Sequence, residues 1–303
     1  MKIGLVLPTV DHGTLDHLVA QIGDAADSGL DSVWLTHSTG FDPLTAISVA
    51  ARQVPNIMLG TAVTPVQTAH PARIAAQVRT ANAAADGRLV LGIGSSHRSS
   101  IEGRYGLLYE SPVAYVRDYL AIAKPLIDSG SVEYQGKYLS AKIRLTDHGR
   151  GSVPVLVAAL QPKMLELAGG IADGTVTWCC GVNTIRNRIA PSVVQAALAA
   201  GKPEPAVVVA LPVCVTSDTR EGRAAADAQL AGYGDLPVYR AVLDEEHADN
   251  PGELAVVGDE DSVLEQLKTL AEAGCTTFAA VRCGSEKDRT RTWELLQAAA
   301  AMS

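Results

Sequence analysis

One pattern repeats from end to end of this 303-residue chain. A short apolar run rich in β-branched residues is followed by a polar or Gly/Pro turn and then by helical spacing. Most of the runs are apolar throughout rather than alternating, which is typical of strands covered on both faces. The eight runs are residues 2–8, 32–36, 57–63, 88–94, 153–159, 174–178, 206–215 and 276–282. Eight strand–helix units predict an α/β fold, a (β/α)8 TIM barrel, with a doubly wound open sheet as the alternative.

The predicted helices carry signals at their ends. Asp42 precedes Pro43 and Ser111 precedes Pro112, which predicts an N-cap and a first helical residue in each pair. Pro162 predicts another helix start. Gly29 and Gly274 follow helical stretches, where a glycine commonly ends a helix. Because the composition does not change along the chain, we expect residues 1–303 to form a single barrel domain.

One connection, residues 95–152, is much longer than the others and separates the fourth strand from the fifth. It is expected to contain a loop rich in Ser, Gly and Arg, a helix over about 112–128, and a hairpin with its turn at Gln135-Gly136. A structured excursion at the end of a barrel strand predicts a lid or a pocket wall. A dimer contact or a decoration without function is the equally weighted alternative.

The composition excludes several classes of protein. Apolar residues make up 47% and charged residues 19%, which allows a large core. The formal net charge of −8 and the lack of a basic stripe argue against nucleic acid as a partner. No apolar run is long enough to span a bilayer, so no membrane association is expected. The N-terminus resembles a first strand rather than a signal peptide, so a cytoplasmic protein is expected.

The cysteines and the known metal motifs predict neither a disulfide framework nor a metal site. The five cysteines are odd in number, with no CxxC pair, so buried reduced thiols are expected. The sequence contains no HExxH and no calcium-type carboxylate spacing. The cysteines are Cys179, Cys180, Cys214, Cys275 and Cys283.

In a barrel of this kind the reactive residues lie at the carboxyl ends of the strands. Two histidines, His37 and His97, fall at this rim, and histidine suits proton transfer near neutral pH. Hydrogen-bonded loop histidines are the alternative interpretation. His70, before Pro71, is expected to start a helix, and His12, His17, His148 and His247 are expected at caps, helix surfaces or loops. The other rim residues are Thr9, Asp11, Thr36, Ser38, Ala62, Val63, Thr64, Pro65, Ser95, Ser96, Arg98, Leu160, Gln161, Pro162, Lys163, Trp178, Cys179 and Cys180.

Two short stretches at this rim could hold a ligand. Gly92 and Gly94 form a GxG pair without the third glycine of a dinucleotide-binding fingerprint. They therefore either let a flat ligand approach the backbone or allow close packing of the barrel. Residues 158–164 end a strand and begin a helix with Lys163 in its first turn. Exposed helix-start amides and an ammonium group would bind an anion such as a cofactor phosphate. The alternative is an ordinary surface lysine.

Five stretches together resemble the luciferase-like (bacterial luciferase superfamily) oxidoreductases. Within that superfamily the chain is most similar to the actinobacterial branch that depends on coenzyme F420. The stretches span nearly the whole chain in order. They are residues 42–46 (DPLTA), 59–71 (LGTAVTPVQTAHP), 87–97 (GRLVLGIGSSH), 153–178 (VPVLVAALQPKMLELAGGIADGTVTW) and 257–278 (VGDEDSVLEQLKTLAEAGCTTF).

The resemblance implies a planar deazaflavin, coenzyme F420, at the strand ends, with FMN as the alternative cofactor. Family members place a bulge behind the ring after the third strand, often with a non-prolyl cis peptide. Their cofactor phosphate meets the helix after the fifth strand, where relatives often have glycine in place of Gln161. The cofactor-binding residues that the resemblance and the strand ends imply are Thr36, Thr61, Ala62, Val63, Thr64, Gly94, Ser95, Ser96, Ala159, Leu160, Gln161, Pro162, Lys163, Met164 and Trp178.

The same resemblance implies hydride transfer between the deazaflavin and a small organic substrate. Sugar-phosphate dehydrogenases of the family carry an acidic residue where this chain has His97, and an Asp-His pair where it has Thr36-His37. These departures argue against sugar-phosphate oxidation and favour reduction of a C=N or C=C bond, with His97 first and His37 second as the general acid. The alternatives are an FMN-dependent monooxygenase and a non-catalytic ligand-binding barrel. A homodimer is expected, because apolar barrel helices often pair.

Overall fold

A computed structural model describes residues 1–9, 13–146 and 151–302. The predicted sites at Asp11, His12 and His148 lie outside these residues. The strands are β1 (Lys2–Leu7), β2 (Ser32–Leu35), β3 (Met58–Thr61), β4 (Thr64–Pro65), β5 (Leu89–Gly94), β6 (Ser131–Gln135), β7 (Ser140–Arg144), β8 (Val155–Ala158), β9 (Gly174–Trp178), β10 (Ala206–Val215), β11 (Val256–Gly258) and β12 (Thr277–Arg282).

The helices occupy the connections between these strands. They are α1 (Leu15–Asp27), α2 (Pro43–Ala51), α3 (Pro71–Ala84), α4 (Arg98–Tyr105), α5 (Pro112–Ser129), α6 (Pro162–Gly170), α7 (Val182–Thr184), α8 (Ala190–Ala199), α9 (Thr219–Gln229), α10 (Pro237–Glu246), α11 (Glu260–Glu272) and α12 (Glu286–Ala301). A π-helical turn (Ile185–Ile189) joins α7 to α8, and a 3₁₀ turn (Pro251–Leu254) precedes β11.

Eight parallel strands form a closed ring. Their order around the ring is β1, β2, β3, β5, β8, β9, β10 and β12, and β12 pairs again with β1. The β10 strand pairs with β9 over Ala206–Ala210, whereas β11 pairs with the far end of β10 over Val213–Val215. The predicted (β/α)8 barrel is therefore confirmed, and the alternative of an open sheet is wrong.

Inward-facing side chains fill the barrel below its mouth. They form an apolar cluster that includes Val6, Trp34 and Val176 and is distinct from the larger core between strands and helices. The Trp34 indole N–H donates to Ser32 Oγ at 3.0 Å. A side chain at Gly60 would place its Cβ 2.4 Å from Trp34 Cε3, so the tryptophan occupies the space that Gly60 leaves. The centre of the barrel is packed, and the ligand site must lie at the strand ends.

Most predicted helix ends are confirmed. Asp42 caps α2, where its Oδ1 accepts a hydrogen bond from the Thr45 amide at 2.8 Å, and α6 begins at Pro162. Gly29 (φ +75°) and Gly274 (φ +104°) follow α1 and α11. Ser111 is an exception. It precedes α5, but its backbone is left-handed (φ +42°) and its side chain makes no capping hydrogen bond. An N-cap side chain reaches the helix amides from extended backbone, and Ser111 does not have that conformation.

The long connection differs from the prediction at two places. Residues 98–105 form the helix α4 rather than a loop, and the buried Ile101 side chain fixes it to the protein. The hairpin of β6 and β7 turns over residues 136–139, where the Gly136 amide donates to the Leu139 carbonyl at 3.0 Å. Gln135 is the last residue of β6 and pairs with Ser140, so it is not part of the turn.

The hairpin is attached to α5, which itself packs against α3 as a barrel helix. The buried Asp118 carboxylate of α5 accepts hydrogen bonds from Tyr134 Oη at 2.8 Å and from the Tyr138 amide at 2.7 Å. The Leu145 amide donates to the Gly130 carbonyl at 2.7 Å, which joins the two ends of the hairpin. Residues 95–111 are the part that directly follows the end of β5, and the role of residues 95–152 as a lid or pocket wall stays a prediction.

All five cysteines are free and buried, as expected. In the described part of the chain, no helix has the length and apolarity needed to cross a bilayer.

Candidate active site

The third barrel strand is interrupted at the mouth by a bulge between β3 and β4. The peptide bond between Ala62 and Val63 is cis, at the position the resemblance implies. The buried Thr61 hydroxyl donates to the Gly92 carbonyl at 2.7 Å and accepts from the Gly92 amide at 2.9 Å. Thr61 therefore attaches the bulge to β5 with both hydrogen bonds of its side chain. Ala62 and Val63 are half-buried against the inner cluster.

Apolar side chains beside the bulge pack over two glycines of β5. A Cβ atom at Gly94, which is buried, would lie 2.8 Å from Val63 Cγ2 and 3.0 Å from Ala158 Cβ. A Cβ atom at Gly92 would lie 2.0 Å from the Thr61 carbonyl oxygen. Both glycines therefore serve barrel packing, and the half-buried Val63 and Ala158 side chains form an apolar surface over Gly94.

The start of α6 lies next to this surface, directly after β8. Gln161 is at the N-cap position, and its side chain makes no capping hydrogen bond. Pro162 has no amide N–H, and the Met164 amide donates to the Gln161 carbonyl at 2.9 Å. The Lys163 amide is therefore the first-turn group left for a ligand, at the positive end of the helix dipole. Lys163 is exposed in the same turn, and Leu160 is half-buried. Ala159 and Met164 are buried and pack in the outer core.

Four aromatic rings meet at the mouth, near the ends of β5 and β9. The His97 ring lies 6.3 Å from that of Tyr233 and 5.9 Å from that of Tyr239 (centroid distances). Trp178 lies 6.0 Å from Tyr233, and the two tyrosines are 5.1 Å apart. We call these four residues the aromatic wall.

Tyr233 and Tyr239 were not among the residues predicted from the sequence. They belong to the connection between β10 and β11 and are far from any predicted strand end. Two tyrosines within seven residues, beside Gly232 and Gly234, were the available signal in a chain with only 4% aromatic residues.

The segment that carries the tyrosines is tied to the chain that follows β9. The Glu246 carboxylate of α10 accepts hydrogen bonds from the Asn183 amide at 3.2 Å and the Thr184 amide at 2.5 Å. Arg188 forms an ion pair with Glu245 at 2.8 Å. These contacts hold α10, and with it Tyr239, beside Trp178.

His97 has the surroundings of a proton-transfer group. It occupies the N-cap position of α4 without a capping hydrogen bond, so its imidazole is not committed to the fold. Burial lowers its pKa from the usual 6.5, which favours the neutral ring at neutral pH. Burial also raises the pKa values of Tyr233 and Tyr239, so both phenols stay protonated.

His37 lies in different surroundings from His97. It lines a cleft with Asp42, Thr64, His70 and Arg73, and its Nδ1 atom is buried without a hydrogen-bond partner. Burial lowers its pKa, and the nearby Asp42 carboxylate partly opposes this effect. The structure therefore places the two predicted histidines in separate groups of side chains rather than together.

Other predicted rim residues form hydrogen bonds that join neighbouring segments at the mouth. Thr36 Oγ1 accepts from the Thr9 amide at 3.2 Å, which joins the ends of β1 and β2. Tyr109 Oη donates to the Ser96 carbonyl at 3.1 Å and to Ser95 Oγ at 3.4 Å. Ser95 and Ser96 thus connect the end of β5 to residues 95–111.

His70 starts α3 as predicted, with its Nδ1 atom accepting from the Ala72 amide at 3.3 Å. In the described part of the chain, no three His, Cys, Asp or Glu side chains cluster as a metal site would require.

The comparisons with known proteins agree with this geometry. The family model described as luciferase-like monooxygenase matches residues 1–277. A 5,10-methylenetetrahydromethanopterin reductase from Archaeoglobus fulgidus is 32% identical over 58% of this chain and 52% of its own length. The enzyme of the same name from Methanolobus tindarius is 27% identical over 90% of this chain and 84% of its own. An F420-dependent glucose-6-phosphate dehydrogenase from Amycolatopsis mediterranei is 29% identical over 67% of this chain and 65% of its own.

Solved structures show the same architecture at lower identity. The coenzyme F420-dependent tetrahydromethanopterin reductase from Methanopyrus kandleri superposes with a TM-score of 0.81 at 20% identity, covering 98% of this chain and 97% of that one. An F420-dependent secondary alcohol dehydrogenase in complex with an F420-acetone adduct gives 0.82 at 17% identity, covering 98% and 97%. With a family match over residues 1–277 and a closed barrel with a bulge after its third strand, this chain belongs to the luciferase-like monooxygenase family.

Proposed function

We propose that this protein is an oxidoreductase that uses coenzyme F420 to transfer a hydride to or from a small organic substrate. The observation that carries the proposal is the apolar surface that the half-buried Val63 and Ala158 side chains form over Gly94, beside an uncapped helix start. A planar ring fits against such a surface, and a phosphate fits the helix start. The relatives compared above are two 5,10-methylenetetrahydromethanopterin reductases and an F420-dependent glucose-6-phosphate dehydrogenase.

When bound, the deazaflavin supplies the hydride chemistry, and the protein supplies orientation and a proton. Ala62, Val63 and Gly94 would support one face of the ring. The Lys163 amide and ammonium at the start of α6 would hold the phosphate. Gln161 adds an exposed side chain at the position where relatives often have glycine.

The aromatic wall would exclude water from the mouth near the ends of β5 and β9. His97 is its only member that titrates near neutral pH, so we assign the proton to His97. Reduction of a polarised C=N or C=C bond requires a proton at the atom that gains charge, and the His97 imidazolium would donate it. His37 is the weaker candidate, because its side chain lines the separate cleft with Arg73.

Titration of the purified protein with F420 and with FMN tests the cofactor assignment. We expect saturable quenching of deazaflavin fluorescence, with F420 bound at least tenfold more tightly than FMN. Tighter binding of FMN, with oxygen consumption when the flavin is reduced, would support the monooxygenase alternative. That alternative has structural neighbours such as an FMN-containing Baeyer-Villiger monooxygenase, with a TM-score of 0.76 at 20% identity.

The direction of transfer and the substrate class need a second assay. A panel of cyclic imines and enones, incubated with reduced F420, should contain compounds that reoxidise it. Glucose 6-phosphate, incubated with oxidised F420 as the hydride acceptor, serves as the comparison. We expect no reduction of the coenzyme by it, because His97 stands where the sugar-phosphate dehydrogenases carry an acidic residue. Turnover of glucose 6-phosphate alone would refute the assignment of a C=N or C=C substrate.

We also propose a homodimer in the cytoplasm. The apolar character of the barrel helices supports pairing, and the five free thiols support a reducing compartment. Sedimentation velocity and cell fractionation test these two statements, and a monomer or a secreted protein would contradict them.

A further inference from the structure

A second concave site lies beside the barrel mouth, between the chain that follows β2 and the first turns of α3. Its volume is about 520 Å³. The side chains that matter for its chemistry are His37, Asp42, Thr64, His70 and Arg73. We call this the β2–α3 cleft.

Two buried polar atoms in the cleft lack hydrogen-bond partners. They are Nδ1 of His37 and Oγ1 of Thr64, and the Thr64 side chain belongs to a residue only 2% exposed. Buried polar atoms are nearly always paired, because an unsatisfied one costs about 1–3 kcal/mol. Both residues line the cleft. A polar ligand in the cleft would satisfy them together.

The cleft also contains a cation that is not used by the fold. Arg73 is an exposed residue of the first turn of α3 and has no ion-pair partner within the described ranges. Its guanidinium offers a planar fork that matches a carboxylate. His70, three residues earlier, uses Nδ1 to cap the helix, which leaves Nε2 at an exposed position.

The negative charge of Asp42 favours a carboxylate over a phosphate in the cleft. Asp42 lines the cleft, and its carboxylate is held in place by the amide and the hydroxyl of Thr45 at 2.8 and 2.7 Å. This fixed negative charge repels a phosphate dianion about twice as strongly as a carboxylate monoanion. It also offers an acceptor to a ligand N–H or O–H.

We propose that the β2–α3 cleft binds the carboxylate of an organic acid. Arg73 pairs with the carboxylate, and His37 and Thr64 bond to the polar remainder of the ligand. The carboxylate comes either from a free organic acid, such as the substrate, or from the glutamate tail of F420, and the second source rests on the proposed function.

The first test needs no coenzyme. Butyrate is titrated into the purified protein while the imidazole C–H signals of His37 and His70 are followed by NMR. Butyramide has the same shape without the charge, and inorganic phosphate supplies the dianion. We expect both signals to shift and saturate with butyrate, with an affinity at least tenfold above those of butyramide and phosphate.

Variants assign the effect to the cleft. Arg73→Gln should weaken butyrate binding at least tenfold, and Arg73→Lys should recover part of it. Arg52→Gln, which changes an exposed arginine at the other end of α2, is the matched control and should bind as the wild type does. The proposal is overturned if butyramide or phosphate binds as tightly as butyrate, or if Arg73→Gln retains the wild-type affinity.

The second test distinguishes the two sources. Two compounds are titrated into the wild type and into Arg73→Gln. One is F420, and the other is the 5′-phosphate of its riboflavin-like core, which has a phosphate but no carboxylate. A loss in the variant confined to F420 assigns the cleft to the glutamate tail, and equal binding of F420 to both proteins assigns it to a free acid. Equal losses for both compounds would overturn the proposal. If neither compound binds the wild type, the proposed function fails while the butyrate result stands.

Discussion

Replacement of His97 by glutamine tests the proposed proton transfer most directly. The His97 imidazole makes no capping hydrogen bond, so the change leaves no protein group unpaired and conserves most of the side-chain volume. General acid catalysis by a positioned side chain contributes about 10²–10⁴-fold. We therefore expect kcat/KM for reduction to fall about 10²-fold or more, while F420 binds within twofold of the wild-type affinity.

The pH dependence supplies a signature that a structural role would not give. Burial lowers the His97 pKa below 6.5, so the proton donor accumulates only as the pH falls through that lowered value. For the wild type, kcat/KM for reduction should rise toward acid pH and then level off. The His97→Gln profile should be flat over this range, and His17→Gln, at an exposed site on α1, should match the wild type. Steady-state oxidation of reduced F420 between pH 5 and 8 gives both profiles, and a variant with unchanged rate and profile would refute the reasoning.

Three further changes test the fold and the site. Asp118→Ala removes the acceptor of the hairpin hydrogen bonds and should lower the free energy of unfolding by about 2–4 kcal/mol in urea titrations. Burial raises the Asp118 pKa, but the hydrogen bonds from Tyr138, Tyr134 and Leu139 together outweigh burial and hold this pKa below its usual 3.8. The stability difference should therefore be present above about pH 4 and shrink below it, and a constant difference would contradict the assignment. Gly60→Ala forces a Cβ against Trp34 and should cost about 1–3 kcal/mol in the same assay, unless the ring can move without loss. Glu246→Gln removes the charge that holds α10, so amide exchange at residues 231–247, measured by mass spectrometry, should become at least tenfold faster; unchanged exchange would show that α10 is held by other contacts.

The barrel could be predicted from the sequence because its strands are short apolar runs that stand out from helical spacing. The predicted bounds of 174–178 and 206–215 match β9 and β10. The helix α4 was missed because Ser99, Ser100 and Gly103 weaken both propensity and periodicity, and one buried side chain, Ile101, fixes the helix through tertiary contacts.

The candidate site was only partly predictable for a different reason. His97 and Trp178 follow their strands directly, so strand ends identify them. Tyr233 and Tyr239 reach the mouth from the middle of a 40-residue connection between β10 and β11, and no local pattern encodes that approach. His37 follows the last residue of β2, Leu35, by two positions, so both side chains point to the same face of the strand. Because Leu35 packs in the outer core, His37 points away from the barrel interior.

The strands β9 and β11 pair with the same edge of β10 at different heights, so the rim of the barrel is uneven there. The pairing of β10 with β9 ends at Ala210, and its pairing with β11 begins only at Val213. Between these residues this edge of β10 has no strand partner among the residues that the structure describes. Tyr233 and Tyr239 belong to the connection that leads from β10 to β11 on this edge, and Tyr233 contacts Trp178 at the end of β9. In the proposed function, selectivity for different compounds would therefore change through residues 216–255, while the bulge and the helix start that we propose for the coenzyme stay unchanged.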